Sequence, residues 1–153
     1  MVITRTDSNS STVLVIENDP LMLTAIGSVL QKNGHRAVLA RTIEVAQQPI
    51  PQGQPDVIVL SIDDLRTGCQ LANSLRQSET TRDVPILFLV PEQTQEWMAQ
   101  LANQGGLFSM LKPIDTAALL ELIDKAVWLH HIARGRLGGT KSHINQNDWI
   151  TLD

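Results

Sequence analysis

Three short apolar runs constrain this chain more than any other feature: Val13-Leu14-Val15-Ile16, Val57-Ile58-Val59-Leu60 and Ile86-Leu87-Phe88-Leu89-Val90. Each is too short to be a buried helix and is apolar at every position. Such runs are strands covered on both faces, as in parallel sheets flanked by helices. Between them lie segments with apolar residues at helical spacing. Leu23, Ile26, Val29 and Leu30 follow the first run, with Asp19 as N-cap, Pro20 at the helix start and Asn33-Gly34 as the stop. Ala37 to Ala40 form a short second strand, and a short helix follows near Thr42 to Gln48. Pro49, Pro51, Gly53 and Pro55 then break the pattern.

The third helix is expected over Thr67 to Ser78, anchored by Leu71 and Leu75. The fourth spans Gln93 to Asn103 and ends before Gly105-Gly106. A fifth strand covers Leu107 to Leu111. Asp115 or Thr116 caps a last helix carrying Leu119, Leu122, Ile123, Ala126 and Val127. Five β–α pairs in strict alternation define one doubly wound α/β domain with a five-stranded parallel sheet. Periodicity alone does not give the strand order.

The chain of 153 residues is the size of one such domain with short extensions. We divide it into a flexible leader over 1–11, a domain over 12–134 and a carboxyl-terminal extension over 135–153. The last helix, taken from Asp115 to Arg134, is long enough to carry Val127-Trp128-Leu129 and Ile132 to the domain edge. There they finish the core or form an interface. Arg136 to Lys141 reads as a linker, and Trp149-Ile150-Thr151-Leu152 as a segment that packs back or docks elsewhere. The net charge of −4 argues against broad nucleic-acid binding. No apolar run reaches the ~20 residues of a membrane span. A single cysteine, Cys69, suits a reducing cytoplasm, the expected location.

Open α/β sheets place their chemistry at the strand carboxyl ends. Three such ends carry polar groups here: Glu17-Asn18-Asp19-Pro20, Ser61, and Lys112-Pro113. An acidic loop, a strand-end hydroxyl and a lysine outline a phosphoryl-transfer pocket in which the nucleophile position lacks a carboxylate. With Pro55-Asp56 leading into the third strand, these motifs resemble the response-regulator receiver domains (CheY-like) of two-component signalling, over about residues 12 to 128.

The resemblance implies the flavodoxin-like strand order 2-1-3-4-5. It places Ser61 where receivers carry the aspartate that accepts a phosphoryl group from a histidine kinase. Glu17 and Asn18 fall where two acids help hold magnesium, Val90 where a hydroxyl binds the phosphoryl oxygens, Ser109 at the aromatic switch position, and Lys112 at the phosphoryl-pairing lysine. Asn18 and Ser61 remove two of three carboxylates that magnesium would use. Ser61 has no evident base to activate it. Val90 offers no donor, and Lys112 is expected to neutralise Glu17.

Asp63 is the alternative acceptor. An extended strand would carry it about 6–7 Å past Ser61, at ~3.3 Å per residue, out of reach of Lys112. Otherwise Asp63 and Asp64 are solvated loop acids or N-caps. His35 is expected at the surface, and His130-His131 near a helix carboxyl end, opposing its dipole.

These residues point to a degenerate pseudo-receiver, not an enzyme, that acts by phosphorylation-independent protein–protein contact, with no cofactor beyond weak magnesium binding. The expected partners are a histidine kinase, an output protein or a second copy through the fourth and fifth helices. Trp97, Met98, Leu101 and Trp128 are the expected contact face; no membrane or nucleic-acid partner is expected. The alternatives are a phosphorylatable regulator using Asp63, and a flavodoxin-like or nucleotide-binding protein. The first loop lacks the glycines of a phosphate cradle, which tells against the latter.

Overall fold

The computed structural model describes residues 10–50, 53–106 and 108–138. Five strands, β1 (Thr12–Ile16), β2 (Arg36–Ala40), β3 (Val57–Ser61), β4 (Ile86–Val90) and β5 (Phe108–Leu111), alternate with five helices. These are α1 (Pro20–Lys32), α2 (Ile43–Ala46), α3 (Leu65–Gln77), α4 (Gln95–Asn103) and α5 (Thr116–Gly138). All the strands are parallel in the order β2-β1-β3-β4-β5, as the resemblance implied.

The apolar runs occupy the middle of the sheet because both of their faces are covered. Leu14, Ile16, Ile58, Leu60, Ile86 and Phe88 pack with Ala46, Ala72, Leu75, Trp97 and Leu101 on the side of α2, α3 and α4. Val13, Val15, Val57, Val59, Leu87 and Leu89 pack with Leu23, Ile26, Leu30, Leu119, Ile123 and Val127 on the side of α1 and α5. Alternate strand residues therefore serve opposite cores, which is the consequence of a two-residue side-chain period.

Local signals fix the helix starts. Asp19 accepts from the Leu21 N–H, with Pro20 opening α1. Thr94 accepts from the Trp97 N–H at the start of α4. Asp115 accepts from the Ala117 and Ala118 N–H groups at the start of α5. Helix α3 begins at Leu65, two residues earlier than expected, because Asp64 caps it through Thr67. Helix α4 begins at Gln95, not Gln93, since Thr94 is its cap.

Helix α5 continues to Gly138. Arg136-Leu137-Gly138, expected as linker, therefore forms its last turn. A glycine inside a helix, as Gly135 is here, costs only about 1 kcal/mol and need not end it. Most of the leader and extension, including Trp149 to Leu152, lies outside the described residues, as do Leu107 and Pro51. Among the described residues no helix is long and apolar enough to cross a membrane.

Candidate functional site

The register of the sheet brings the ends of β1, β3 and β5 to one edge. Ile16 pairs with Leu60, which leaves Glu17 and Ser61 side by side beyond them, and Val90 pairs with Leu111, which delivers Lys112. A shallow cleft of about 520 Å³ opens here, lined by Asn18, Arg41, Ser61, Asp63, Asp64 and Thr67 among others.

Glu17 is buried, and its Oε2 accepts from the Asp19 N–H at 2.9 Å. That bond turns the carboxylate into a brace for its own loop. Asn18 is exposed, and its carbonyl accepts from Arg41 Nε at 3.1 Å. The Ser61 Oγ is shielded from solvent yet has no hydrogen-bond partner among the described residues. Val90 is fully buried, and its carbonyl accepts from the Lys112 N–H at 2.8 Å. The Lys112–Pro113 peptide is cis.

Lys112 does not pair with Glu17. Its Nζ donates to Asp63 Oδ1 at 2.9 Å and to the Ile62 carbonyl at 3.1 Å. The expectation that Asp63 is out of reach fails for a geometric reason. β3 ends at Ser61, and the chain turns before α3, so the extended rise per residue no longer applies to Asp63. Its side chain is 89% exposed, while that of Lys112 is mostly buried at 19%. Asp64 is a helix cap: the Thr67 N–H and hydroxyl both donate to its Oδ2 at 2.9 Å. Those two bonds, the backbone one first, hold its carboxyl below the usual carboxylate range.

At the switch position, Ser109 Oγ accepts from Gln93 Nε2 at 3.2 Å and donates to Met98 Sδ at 3.3 Å. A small hydroxyl here ties the loop before α4 to β5. Trp97 and Leu101 are buried against the sheet, so neither belongs to a contact face; Met98 is half-buried against the same core. Helix α4 turns that face inward because residues 97 and 101 are one turn apart. Of the expected contact residues, only Trp128 is broadly exposed, at 63%.

His35 is also buried rather than superficial. Its Nδ1 accepts from the Ser11 N–H at 3.3 Å, the interior use that surface reasoning overlooked. His131 is not in the last turn of α5, and its Nε2 lies 3.4 Å from Asp56 Oδ1. The sequence reading also missed Arg41 and Thr67 as parts of the cleft. The Asp64-to-Thr67 interval was the available signal for the latter, since it is the cap spacing.

The donor set is poorly matched to a hexacoordinate magnesium ion, which favours several carboxylate oxygens. Glu17 is engaged by Asp19, Asn18 and Ser61 are neutral, and Asp63 is already paired with an ammonium group. Among the described residues no group of three or more His, Cys, Asp or Glu side chains is placed to hold a metal.

Several known proteins share this arrangement of elements. The crystal structure of a CheY-like response regulator receiver domain protein from Methanospirillum hungatei JF-1 matches with a TM-score of 0.69 and 17% identity, over 80% of this chain and 98% of that one. The receiver domain of sensor histidine kinase PA1611 from Pseudomonas aeruginosa PAO1, solved with magnesium coordinated in its active-site cleft, matches with a TM-score of 0.62 and 21% identity, over 78% and 98%. In sequence, the phosphate regulon transcriptional regulatory protein PhoB of Escherichia coli (strain K12) is 27% identical over 116 residues, which is 75% of this chain and 50% of that protein. The chain thus spans about half the length of the curated relatives it matches. Residues 13–124 match the response regulator receiver domain family, and the chain belongs to that family of two-component signalling modules.

Proposed function

We propose that this receiver is a pseudo-receiver that acts in the cytoplasm through protein–protein contact without aspartyl phosphorylation, binding magnesium weakly at most. One observation carries the reading: the group at the end of β3 is Ser61, whose Oγ is shielded and makes no hydrogen bond among the described residues. Receivers place their acceptor aspartate at this point. A serine hydroxyl without an adjacent base is a weak nucleophile. Lys112, the cation such a pocket would turn toward a phosphoryl group, is engaged by Asp63 and the Ile62 carbonyl. The partner in this reading is a histidine kinase, an output protein or a second copy, and the exposed Trp128 on α5 is the apolar surface for it.

Incubation with a small-molecule phosphodonor and magnesium, followed by intact mass, tests the proposal. The expected result is an unchanged mass. A phosphoryl adduct at Ser61 or Asp63 overturns it.

A second reading makes Asp63 the acceptor. Its support is the ion pair with Lys112 at 2.9 Å, which places a carboxylate beside the lysine of the pocket. Under that reading the adduct forms and Asp63→Asn abolishes it. The first loop gives no support to a nucleotide site, since Glu17 and Asp19 use the Asp19 and Leu21 N–H groups internally.

A further inference from the structure

The amino-terminal edge of the sheet, opposite the Ser61 cleft, carries a second constructed surface. Two consecutive backbone N–H groups at the start of β1 are each held by a side chain. Ser11 donates to His35 Nδ1 at 3.3 Å, and Thr12 donates to Asp56 Oδ2 at 2.8 Å. Both holders also face α5: His35 Nε2 lies 3.8 Å from Asp124 Oδ1, and Asp56 Oδ1 lies 3.4 Å from His131 Nε2. Asp124 and His131 are two turns apart, on one side of the helix. This stretch of α5 therefore faces the start of β1 at two levels.

Between these attachments lies a cleft of about 400 Å³, lined by Ser10, Ser11, Asp124, Lys125, Trp128 and His131 among others. Its wall includes the 63%-exposed Trp128. Lys125 makes no ion pair among the described residues. An exposed indole beside an ammonium group that has no ion pair among the described residues suits an apolar segment that carries an acid.

The chain itself supplies such a segment. Trp149-Ile150-Thr151-Leu152 is mostly apolar and is flanked by Asp148 and Asp153. Trp128 and Gly138 are separated by about 15 Å of helix at 1.5 Å per residue. The residues from Gly139 to Trp149 span up to about 36 Å when extended, more than enough to return that distance. A short tether gives an effective concentration of order mM.

We propose that Trp149 to Leu152 docks in cis across the cleft between the start of β1 and the Trp128 side of α5, with a flanking aspartate on Lys125. The docking uses no group of the Ser61 cleft and stands apart from the question of phosphorylation, but it competes for Trp128 with the outside partner of the preceding reading.

Paramagnetic broadening in the whole chain tests it. A nitroxide is placed on Asn147→Cys in a Cys69→Ser background, and amide and indole signals are followed by NMR. The expected result is loss of intensity at the Trp128 indole, Ser10, Ser11 and Lys125, with the Asp63 signal retained. Adding Trp149→Ala or Lys125→Glu to the labelled chain restores the lost signals. Three outcomes overturn the proposal. The first is undiminished signals around the cleft. The second is broadening that persists in both variants. The third is broadening that arises only between labelled and isotope-enriched copies, which makes the occupant a second molecule.

Discussion

A neutral hydroxyl and a carboxylate of similar reach make opposite demands on a protein interior. A carboxylate at position 61 would need a cation nearby; Ser61 needs only one hydrogen bond, and its Oγ has none among the described residues. An unsatisfied buried hydroxyl costs about 1–3 kcal/mol, partly recovered when the group is removed. Ser61→Ala is therefore expected to leave stability unchanged or raise it by up to about 1 kcal/mol, read from urea unfolding midpoints. A loss greater than that would mean that the hydroxyl is used. The Lys112–Asp63 pair is no large source of stability, because the Asp63 carboxylate is almost wholly in water. Its effect is local: it holds the ammonium group at the mouth of the cleft.

Among the connections between elements, one side chain joins two turns that meet at the amino-terminal edge of β4 and β5. Arg76, in the last turn of α3, donates to the carbonyls of Arg82 and Val84 before β4, and to those of Gln104 and Gly105 before β5. Partial burial lowers its pKa without discharging it. The approach is close: at residue 105, where φ is +80°, a Cβ would meet the guanidinium at 2.6 Å and displace it from these carbonyls. We expect Arg76→Ala to cost about 2–3 kcal/mol and Arg76→Lys to recover only part of it, since one ammonium cannot span four carbonyls. Denaturant unfolding of both variants measures this.

All five strands and all five helices were legible in the sequence, because uninterrupted apolar runs and capped amphipathic segments are local signals. What failed was the direction in which particular side chains point, and the path of the chain through one turn. Asp63 was placed by extrapolating β3 through a turn. Trp97 and Leu101 were given to the surface because periodicity identifies an apolar stripe and not which way it faces. His35 was read by its turn, whereas its ring is an interior acceptor. The strand order came from the family resemblance, since a crossover leaves no mark on periodicity.

On the scale of the molecule, protection should follow the two cores. Strands β3 and β4 are covered on both faces, and every residue from Val57 to Leu60 and from Ile86 to Val90 is buried. Helix α2 has four residues and only Ala46 buried. Hydrogen exchange is expected to be slowest in β3 and β4, at the free energy of global unfolding, and fastest in α2, through local opening. Equal rates in α2 and β4 would show that the domain opens only as one unit.

The stitching of Ser11 and Thr12 to His35 and Asp56 has a mechanical consequence. β1 lies between β2 and β3, so tension applied from the chain ahead of Ser10 enters at an interior strand and not at an edge. Strand β1 would have to slide along both neighbours at once, straining two ladders in shear instead of peeling one bond at a time. The same load reaches α5 through Asp124 and His131, so a tug at the amino end is felt by the last helix.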